Sequence, residues 1–453
     1  MRSVRDTGAF RVGAAALATA TMVGAVASPA SAETDPGWVS GWLGDTTVGA
    51  TGAPARTAGL ALSSTGATNP RVTFDLTGLT GVATAAFPDW CATDAAAVTC
   101  PMPPSATPDE FGTLNGTLPI VLRAVTGAAD GATGAISYTV LADGVDGWAQ
   151  QAAVTVHAGP DAVDVVDEYV TGTATGDRLA MPVGLISAGD RPVDDLRVTL
   201  RFPVGLEPAA YRNCRYGAGD QLSTIVVCTI GGELAPGARY EVPGGFATTV
   251  GPAALGDKRI TQTVAPADTA GLLPAGVTFT RRDADQSLRL RQVGEPVDVL
   301  GPDHQYPSGQ YYLRAIHGAF DVVALGATAT GSAGDTVRVE MGLRNDGPGV
   351  PDATISGDNA ARFTFTAPTG TTVTNRPANC WPSGSEEESD PTTPVTWYCT
   401  KPGGVFAAGE TFLVGFDLRV DGPLGVSGEV RILHNYPRMD DNPANDTAAV
   451  TVS

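Results

Sequence analysis

The sequence predicts an all-β chain of tandem β-sandwiches, each closed by one local disulfide, and three observations predict it. An extended run followed by a turn and a cysteine pair occurs three times, glycine and proline punctuate short period-2 runs, and helical periodicity is not sustained beyond the N-terminal segment. In the first copy Val72-Thr73-Phe74-Asp75-Leu76 leads to Cys91 and Cys100. In the second Val198-Thr199-Leu200-Arg201-Phe202 leads to Cys214 and Cys228, and in the third Phe363-Thr364-Phe365-Thr366-Ala367 leads to Cys380 and Cys399. Alternation of apolar and polar residues marks a strand with one buried face. The 56 glycines and 34 prolines suit the many turns that short strands need. Six cysteines permit many pairings, but domain-sized repeats holding two each point to a bridge inside every copy.

The N-terminus explains the cysteines. Arg2, Arg5 and Arg11 precede an apolar, alanine-rich stretch and the small-residue site Ala30-Ser31-Ala32, so residues 1–32 read as a signal peptide cleaved after Ala32. Export takes the chain out of the reducing cytosol into a setting where disulfides persist. Structural zinc on the cysteines is disfavoured, because no pair has C-x-x-C spacing and no second pair lies close enough to complete four ligands. No cysteine follows the apolar run to carry a lipid and no L-P-x-T-G is present, so the mature chain is expected to be released, or held without a covalent anchor or membrane insertion.

The formal net charge is −20, and loss of the signal, which carries three arginines and Asp6, takes the mature chain to −22. That field repels phosphate backbones and anionic membrane surfaces, so nucleic acid is not an expected partner. Lys258 and Lys401 are the only lysines, a scarcity that reads as the codon bias of a high-GC genome.

Taken in order, the mature chain has room for three domains of roughly 100–200 residues each. The first spans 33–158, with early strands around Trp38 to Trp42 and Gly59 to Leu62, then Val72 to Leu76, and after the cysteines runs at Leu118 to Leu122, Ala135 to Val140 and Ala152 to Val156. The second spans 159–300. It opens with Ala162 to Val166 and Leu179 to Val183, carries an insertion at Ala265 to Phe279, and is read as closing with Ser287-Leu288-Arg289-Leu290-Arg291. Residues 301–318, with Pro302, Pro307 and three tyrosines, read as a linker. The third domain spans 319–453 and holds the cleanest alternation, Val337 to Leu343, before an Asn345-Asp346-Gly347-Pro348 turn. A glycine turn feeding an alternating strand is also repeated: Gly237 follows Cys228 by nine positions and Gly409 follows Cys399 by ten. The first and third domains end alike, in Gln151-Ala-Ala-Val-Thr-Val156 and Thr447-Ala-Ala-Val-Thr-Val452.

Domain three carries an N-x-G-P turn, a cysteine pair, an A-x-G-E-T-F strand opening at Ala407-Ala408-Gly409-Glu410-Thr411-Phe412 and the ending Asp441-Asn-Pro-Ala-Asn-Asp-Thr-Ala-Ala-Val-Thr-Val452. In these features it resembles the Ig-like conserved-repeat domain of bacterial secreted and surface proteins. The resemblance covers domains one and two more loosely. It implies an Ig-like sandwich used as a spacer or adhesive module and brings no catalytic residues.

The candidate sites are few. Trp90, Tyr216, Trp381 and Tyr398 sit beside the cysteines, where packing on the bridge is the favoured reading and stacking on a sugar ring the alternative; Trp381, Trp397 and Tyr398 form the candidate ligand-binding group. The turn holding Asp440, Asp441, Asn442, Asn445 and Asp446 offers oxygen ligands for calcium, although Asx residues also favour turns for backbone reasons. The acidic tip Glu386-Glu387-Glu388-Ser389-Asp390 reads as solvated loop, and the sequons at Asn115 and Asn445 as turn chemistry. No G-x-S-x-G elbow, H-E-x-x-H, P-loop or G-x-G-x-x-G is present, and no organic cofactor is implied. The reading is a secreted, non-enzymatic structural or adhesive protein whose partner is an extracellular protein or glycan. The alternative is a carbohydrate- or cell-wall-binding accessory protein, for which Trp38, Trp42 and Trp148 on an exposed face would speak. A hydrolase comes third.

Overall fold

A computed structural model describes residues 37–94, 97–271, 273–302, 306–383, 395–434 and 440–453. The signal segment, His304 and the acidic tip at 386–390 lie outside the described residues. The chain is all-β, in three sandwiches with three separate cores.

Each sandwich sets a second layer against a six-stranded sheet: another six-stranded sheet in domain one, which includes Val299–Leu300 from domain two, a four-stranded and a three-stranded sheet in domain two, and a four-stranded sheet in domain three, which shows the plan most plainly. Its smaller sheet runs Val322–Leu325, Thr336–Asn345, Thr411–Val420, Thr371–Asn375. Its larger sheet runs Ala327–Ala329, Thr447–Val452, Gly428–Ile432, Arg362–Thr366, Thr396–Thr400, Cys380–Pro382. The opening strand thus serves both sheets, its second half pairing in parallel with the final strand. Domain one repeats this with Thr46–Gly49 beside Val145–His157, and domain two with Asp167–Thr171 beside Ser308–Ile316. This is the immunoglobulin-like arrangement with the extra outer hairpin of variable-type domains. All three copies depart from it in the same way. After the central strand the chain crosses to the facing layer, at Ala83–Ala86, Leu206–Pro208 and Thr371–Asn375, before returning to build the cysteine hairpin.

The repeated runs are the central strands of the large sheets. Their registers coincide: Val72 lies opposite Cys100, Val198 opposite Cys228 and Phe363 opposite Cys399. Their alternate residues, Val72 and Phe74, Val198, Leu200 and Phe202, and Phe363 and Phe365, are all fully buried. Burying each such side chain is worth roughly 1.5–3 kcal/mol. The three bridges are Cys91–Cys100, Cys214–Cys228 and Cys380–Cys399, each within one outer hairpin. The last two join residues directly opposite one another.

The shared motifs are side-chain fastenings. Asn345 is fully buried and its Nδ2 donates to the carbonyls of Gly349 (3.0 Å) and Phe406 (2.8 Å), tying the N-x-G-P turn to the following glycine turn. Gly409, at φ +79°, donates its N–H back to the Asn345 carbonyl, and Gly237, at φ +75°, does the same to Ser187. A side chain at either position would be held in the left-handed region that glycine alone adopts without cost.

Domain two differs most from the sequence reading. The strand at Gly256–Pro266 runs through the start of the expected insertion, and the excursion occupies residues 267–307. The 287–291 run does not close the six-stranded sheet; Arg291–Gln292 instead ends the four-stranded sheet of domain two, beside Arg239–Glu241. The closing strand is Ser308–Ile316, within the stretch read as a linker at 301–318, paired along Gly256–Pro266 and, in parallel, along Asp167–Thr171. Gly309, Tyr311 and Leu313 face inward there, an alternation masked in the sequence by the flanking prolines and by the length of the excursion.

The excursion wraps the domain. Thr280 exchanges backbone hydrogen bonds with Tyr216 (2.8 and 2.9 Å), covering the outer edge strand Cys214–Ala218, and the Arg282 guanidinium lies 4.2 Å from the centre of the Tyr216 ring. An edge so covered cannot template pairing with another chain. Leu288 enters the core, and Val299–Leu300 finally pairs in parallel with Ala55–Arg56 of domain one. There Leu300 packs with Val163, Ile186 and Ala188, and Arg56 pairs with Asp161 at 2.8 Å. Domains two and three meet over a second buried pair, Lys258 with Asp352 at 3.1 Å, beside Leu255, which joins the core of domain three.

Candidate functional site

The third cysteine hairpin divides the expected aromatic group between two faces. In register Trp381 lies opposite Tyr398 and Pro382 opposite Trp397. Trp397, partly buried, packs on the core and meets Phe416 edge-on at 5.8 Å. Trp381, 42% exposed, leans on Tyr398 with ring centres 5.0 Å apart and planes at 47°. Tilted rings offer no flat platform. Trp90 packs against the core beside its bridge, and Tyr216 is buried with its hydroxyl donating to the Ala209 carbonyl (2.8 Å).

Domain one instead places two exposed indoles on one side of a single strand. Along Trp38–Leu43 the inward positions are Gly41 and Leu43, which leaves Trp38 (46% exposed), Ser40 and Trp42 (60% exposed) on the outer face. Four residues of strand set the Cα atoms of the two tryptophans about 13 Å apart. Across the sheet the neighbours are hydroxyls and an amide: Thr65 Oγ1 donates to Thr113 Oγ1 (2.8 Å) and Ser63 Oγ to Asn115 Oδ1 (2.7 Å). Asn115 is therefore a strand residue within Leu114–Ala124, not a turn residue as its sequon suggested. Trp148 is exposed as well, on Val145–His157 of the other sheet.

The acidic turn splits too. Asp441 serves the backbone: its N–H donates to the Phe320 carbonyl (2.8 Å) and its Oδ2 accepts from the Phe320 N–H (3.1 Å). Asn442 N–H caps Asp440 Oδ1 (2.9 Å), and Asn445 Nδ2 donates to Asp321 Oδ1 (2.9 Å). Asp440 and Asp446 come together, joined by His434, which the sequence reading did not place with them. Burial raises the Asp440 carboxyl above the usual range. His434 gave no signal because it lies two residues after the strand Gly428–Ile432, apart in sequence from the acidic turn.

The clefts among the described residues are open grooves. One of about 480 Å³ in domain two is lined by Asp167, Glu168 and Glu241 together with Arg239. Asp167 and Glu168 are exposed, and Glu241 is paired with Arg291. Asp164, raised to about 7 by burial, is fixed by Gln262 Nε2 and the Val166 N–H (2.7 Å), at the point where the opening strand passes from one sheet to the other. It is 3% exposed and touches no groove. Its surroundings are those of a structural joint.

No family model and no curated protein matches the chain. Solved structures similar to it include the complex of Dpr2 Ig1-Ig2 with DIP-Theta Ig1-Ig3, at 10% identity over 92% of this chain and 100% of that one, with a TM-score of 0.23. The I9-I11 tandem from titin matches at 8% identity over 92% and 99%, with a TM-score of 0.17. DIP-gamma IG1+IG2 matches at 14% over 54% and 94%, with a TM-score of 0.15. At these scores the likeness adds nothing to what the strand order already establishes.

Proposed function

We propose that the chain is an exported, non-catalytic protein of three Ig-like sandwiches that acts outside the cell as a stiff structural or adhesive module. The observation that carries this reading is how the sandwiches are joined. A fully buried lysine–aspartate pair fastens domain two to domain three, and the end of the 267–307 excursion adds a strand to domain one. Contacts of that kind suit a module that holds a surface at a fixed distance. The three bridges, the strong negative charge and the signal-like N-terminus support an extracellular setting, and the motifs of domain three support a kinship with conserved-repeat surface domains. Saturable binding of mature protein to an extracellular protein or to intact cell walls, without release of soluble product, tests the reading; product release would refute its non-catalytic part.

A second reading, glycan binding, is favoured by the Trp38 and Trp42 face. Two exposed indoles on one strand with a row of hydroxyls and an amide beside them match the alternation of apolar ring faces and polar edges in a polysaccharide. Loss of binding to insoluble polysaccharide in Trp38→Ala and Trp42→Ala, with binding retained in Trp381→Ala, would support it. Equal binding by all three variants would remove it.

A further inference from the structure

Two ends of one loop bring three donors together in domain three. His434 follows strand Gly428–Ile432, while Asp440 and Asp446 precede strand Thr447–Val452. His434 Nε2 lies 2.8 Å from Asp446 Oδ2 and 3.5 Å from Asp440 Oδ2, and the ligand atoms of the three all fall within 4.8 Å of one another. The side chains of Asp440 and His434 are 2% and 11% exposed.

Proximity does not satisfy these groups. His434 Nε2 sits at ion-pair distance from both carboxylates without an aligned hydrogen bond to either, Asp440 Oδ2 has no hydrogen-bond donor, and Asp446 Oδ1 and Asn445 Oδ1 are buried without a hydrogen-bond partner. A buried carboxylate oxygen with no donor is costly, and two of them facing one imidazole leave a net negative pocket. Asp321, engaged with Asn445, adds to the negative charge, and Arg431, which feels Asp446, gives its hydrogen bond to Glu429 at 2.9 Å.

We propose that His434, Asp440 and Asp446 bind one divalent transition-metal ion of the zinc class. The donor set decides against calcium, which needs six to eight oxygens and has little affinity for imidazole nitrogen. Zinc accepts His nitrogen at 2.0–2.1 Å and carboxylate oxygen at 2.0–2.2 Å in a tetrahedron, which places neighbouring donors about 3.3 Å apart. The observed 2.8 and 3.5 Å bracket that spacing. Three protein ligands leave a fourth position for water. Bound there, the ion would tie the residues after Gly428–Ile432 to the turn before Thr447–Val452, and the two Asp441–Phe320 hydrogen bonds link that turn to the start of domain three.

Titration of chelator-treated mature protein with Zn²⁺ alone, by calorimetry and thermal unfolding, tests the proposal. The expected result is one ion per chain, a rise in unfolding temperature, and an affinity weakened by about tenfold or more in both His434→Gln and Asp440→Asn. Ca²⁺ at the same concentrations should neither bind nor compete. The metal-free circular dichroism of each variant reports whether it has folded, and Co²⁺ absorption in the ligand-field region gives a second readout of tetrahedral N/O coordination. Absence of zinc binding at about 100 µM would overturn the proposal, as would binding unchanged in both variants, which would place the ion elsewhere, such as at His157 and Asp130. Equal competition by Ca²⁺ would return the turn to the calcium reading.

Discussion

Replacing Asp352 by Asn leaves Lys258 as a buried ammonium without its counter-charge, and the cost should be felt on both sides of a domain boundary. The two side chains are 0% and 2% exposed and 3.1 Å apart. At an effective dielectric constant near 20 their attraction is about 5 kcal/mol, much of which offsets the desolvation of the two ions. The intact pair is therefore close to neutral against an apolar pair of the same shape, whereas breaking it should cost about 3–5 kcal/mol. Lys258→Met should cost less than Asp352→Asn, because Asp352 keeps the Thr354 N–H (3.0 Å) and hydroxyl (2.6 Å) as donors. The double variant should recover at least about 2 kcal/mol of the summed loss. The pH dependence has a definite sign. Burial depresses the Lys258 ammonium below its ordinary range and Asp352 opposes that depression, so Asp352→Asn lowers it further. The unfolded chain then binds more protons between the folded value and about 10.5, and the deficit should narrow as pH rises through that window. Urea unfolding followed by hydrogen exchange resolved by domain reads both effects. Single losses that add to within about 0.5 kcal/mol, or protection lost in one domain alone, would refute the reasoning.

Other variants test the rest of the fold. Asp164, raised to about 7 by burial, binds its proton more tightly when folded, so its contribution is complete at low pH and is lost between about pH 4 and 7. Asp164→Asn should thus be stabilising by at most about 4 kcal/mol at pH 8 and close to neutral at pH 4 in denaturant unfolding. Gly309→Ala would drive a methyl into Asp164 Oδ1 and the Val166 carbonyl, and should cost about 1–3 kcal/mol or more; a neutral result would remove 308–316 from the sheet of domain two. Serine at Cys380 and Cys399 opens a loop with a sequence separation of 19 and should lower the stability of domain three by about 3 kcal/mol, leaving the exchange rates of domain one unchanged.

The sandwiches were legible because their signals are local. A buried central strand writes its period into the sequence, as at Val72 and Phe74 or Phe363 and Phe365, and a hairpin bridge needs only two cysteines at hairpin distance. What failed to show was non-local. The closing strand of domain two carries the same period-2 pattern, but its partner strand lies beyond the 267–307 excursion, so chain order gave no reason to pair them. The two lysines looked like a compositional accident. Lys258 is in fact the buried cation at the junction of two domains, and Lys401 pairs with Glu410 at 3.0 Å while its Nζ donates to the carbonyl of Val405 (2.9 Å). In the acidic turn, composition suggested one oxygen-rich site, whereas backbone capping draws Asp441, Asn442 and Asn445 away and the strand geometry supplies His434. Trp38 and Trp42 were legible as a strand, and their shared outer face follows from their even spacing.

Small-angle scattering of the mature chain tests most directly whether it works as a stiff module. The account predicts that one arrangement of the three sandwiches, the one fixed by Lys258–Asp352 and by Val299–Leu300 on Ala55–Arg56, reproduces the whole profile at every salt concentration. A profile that only an ensemble of independently moving domains can fit would contradict it.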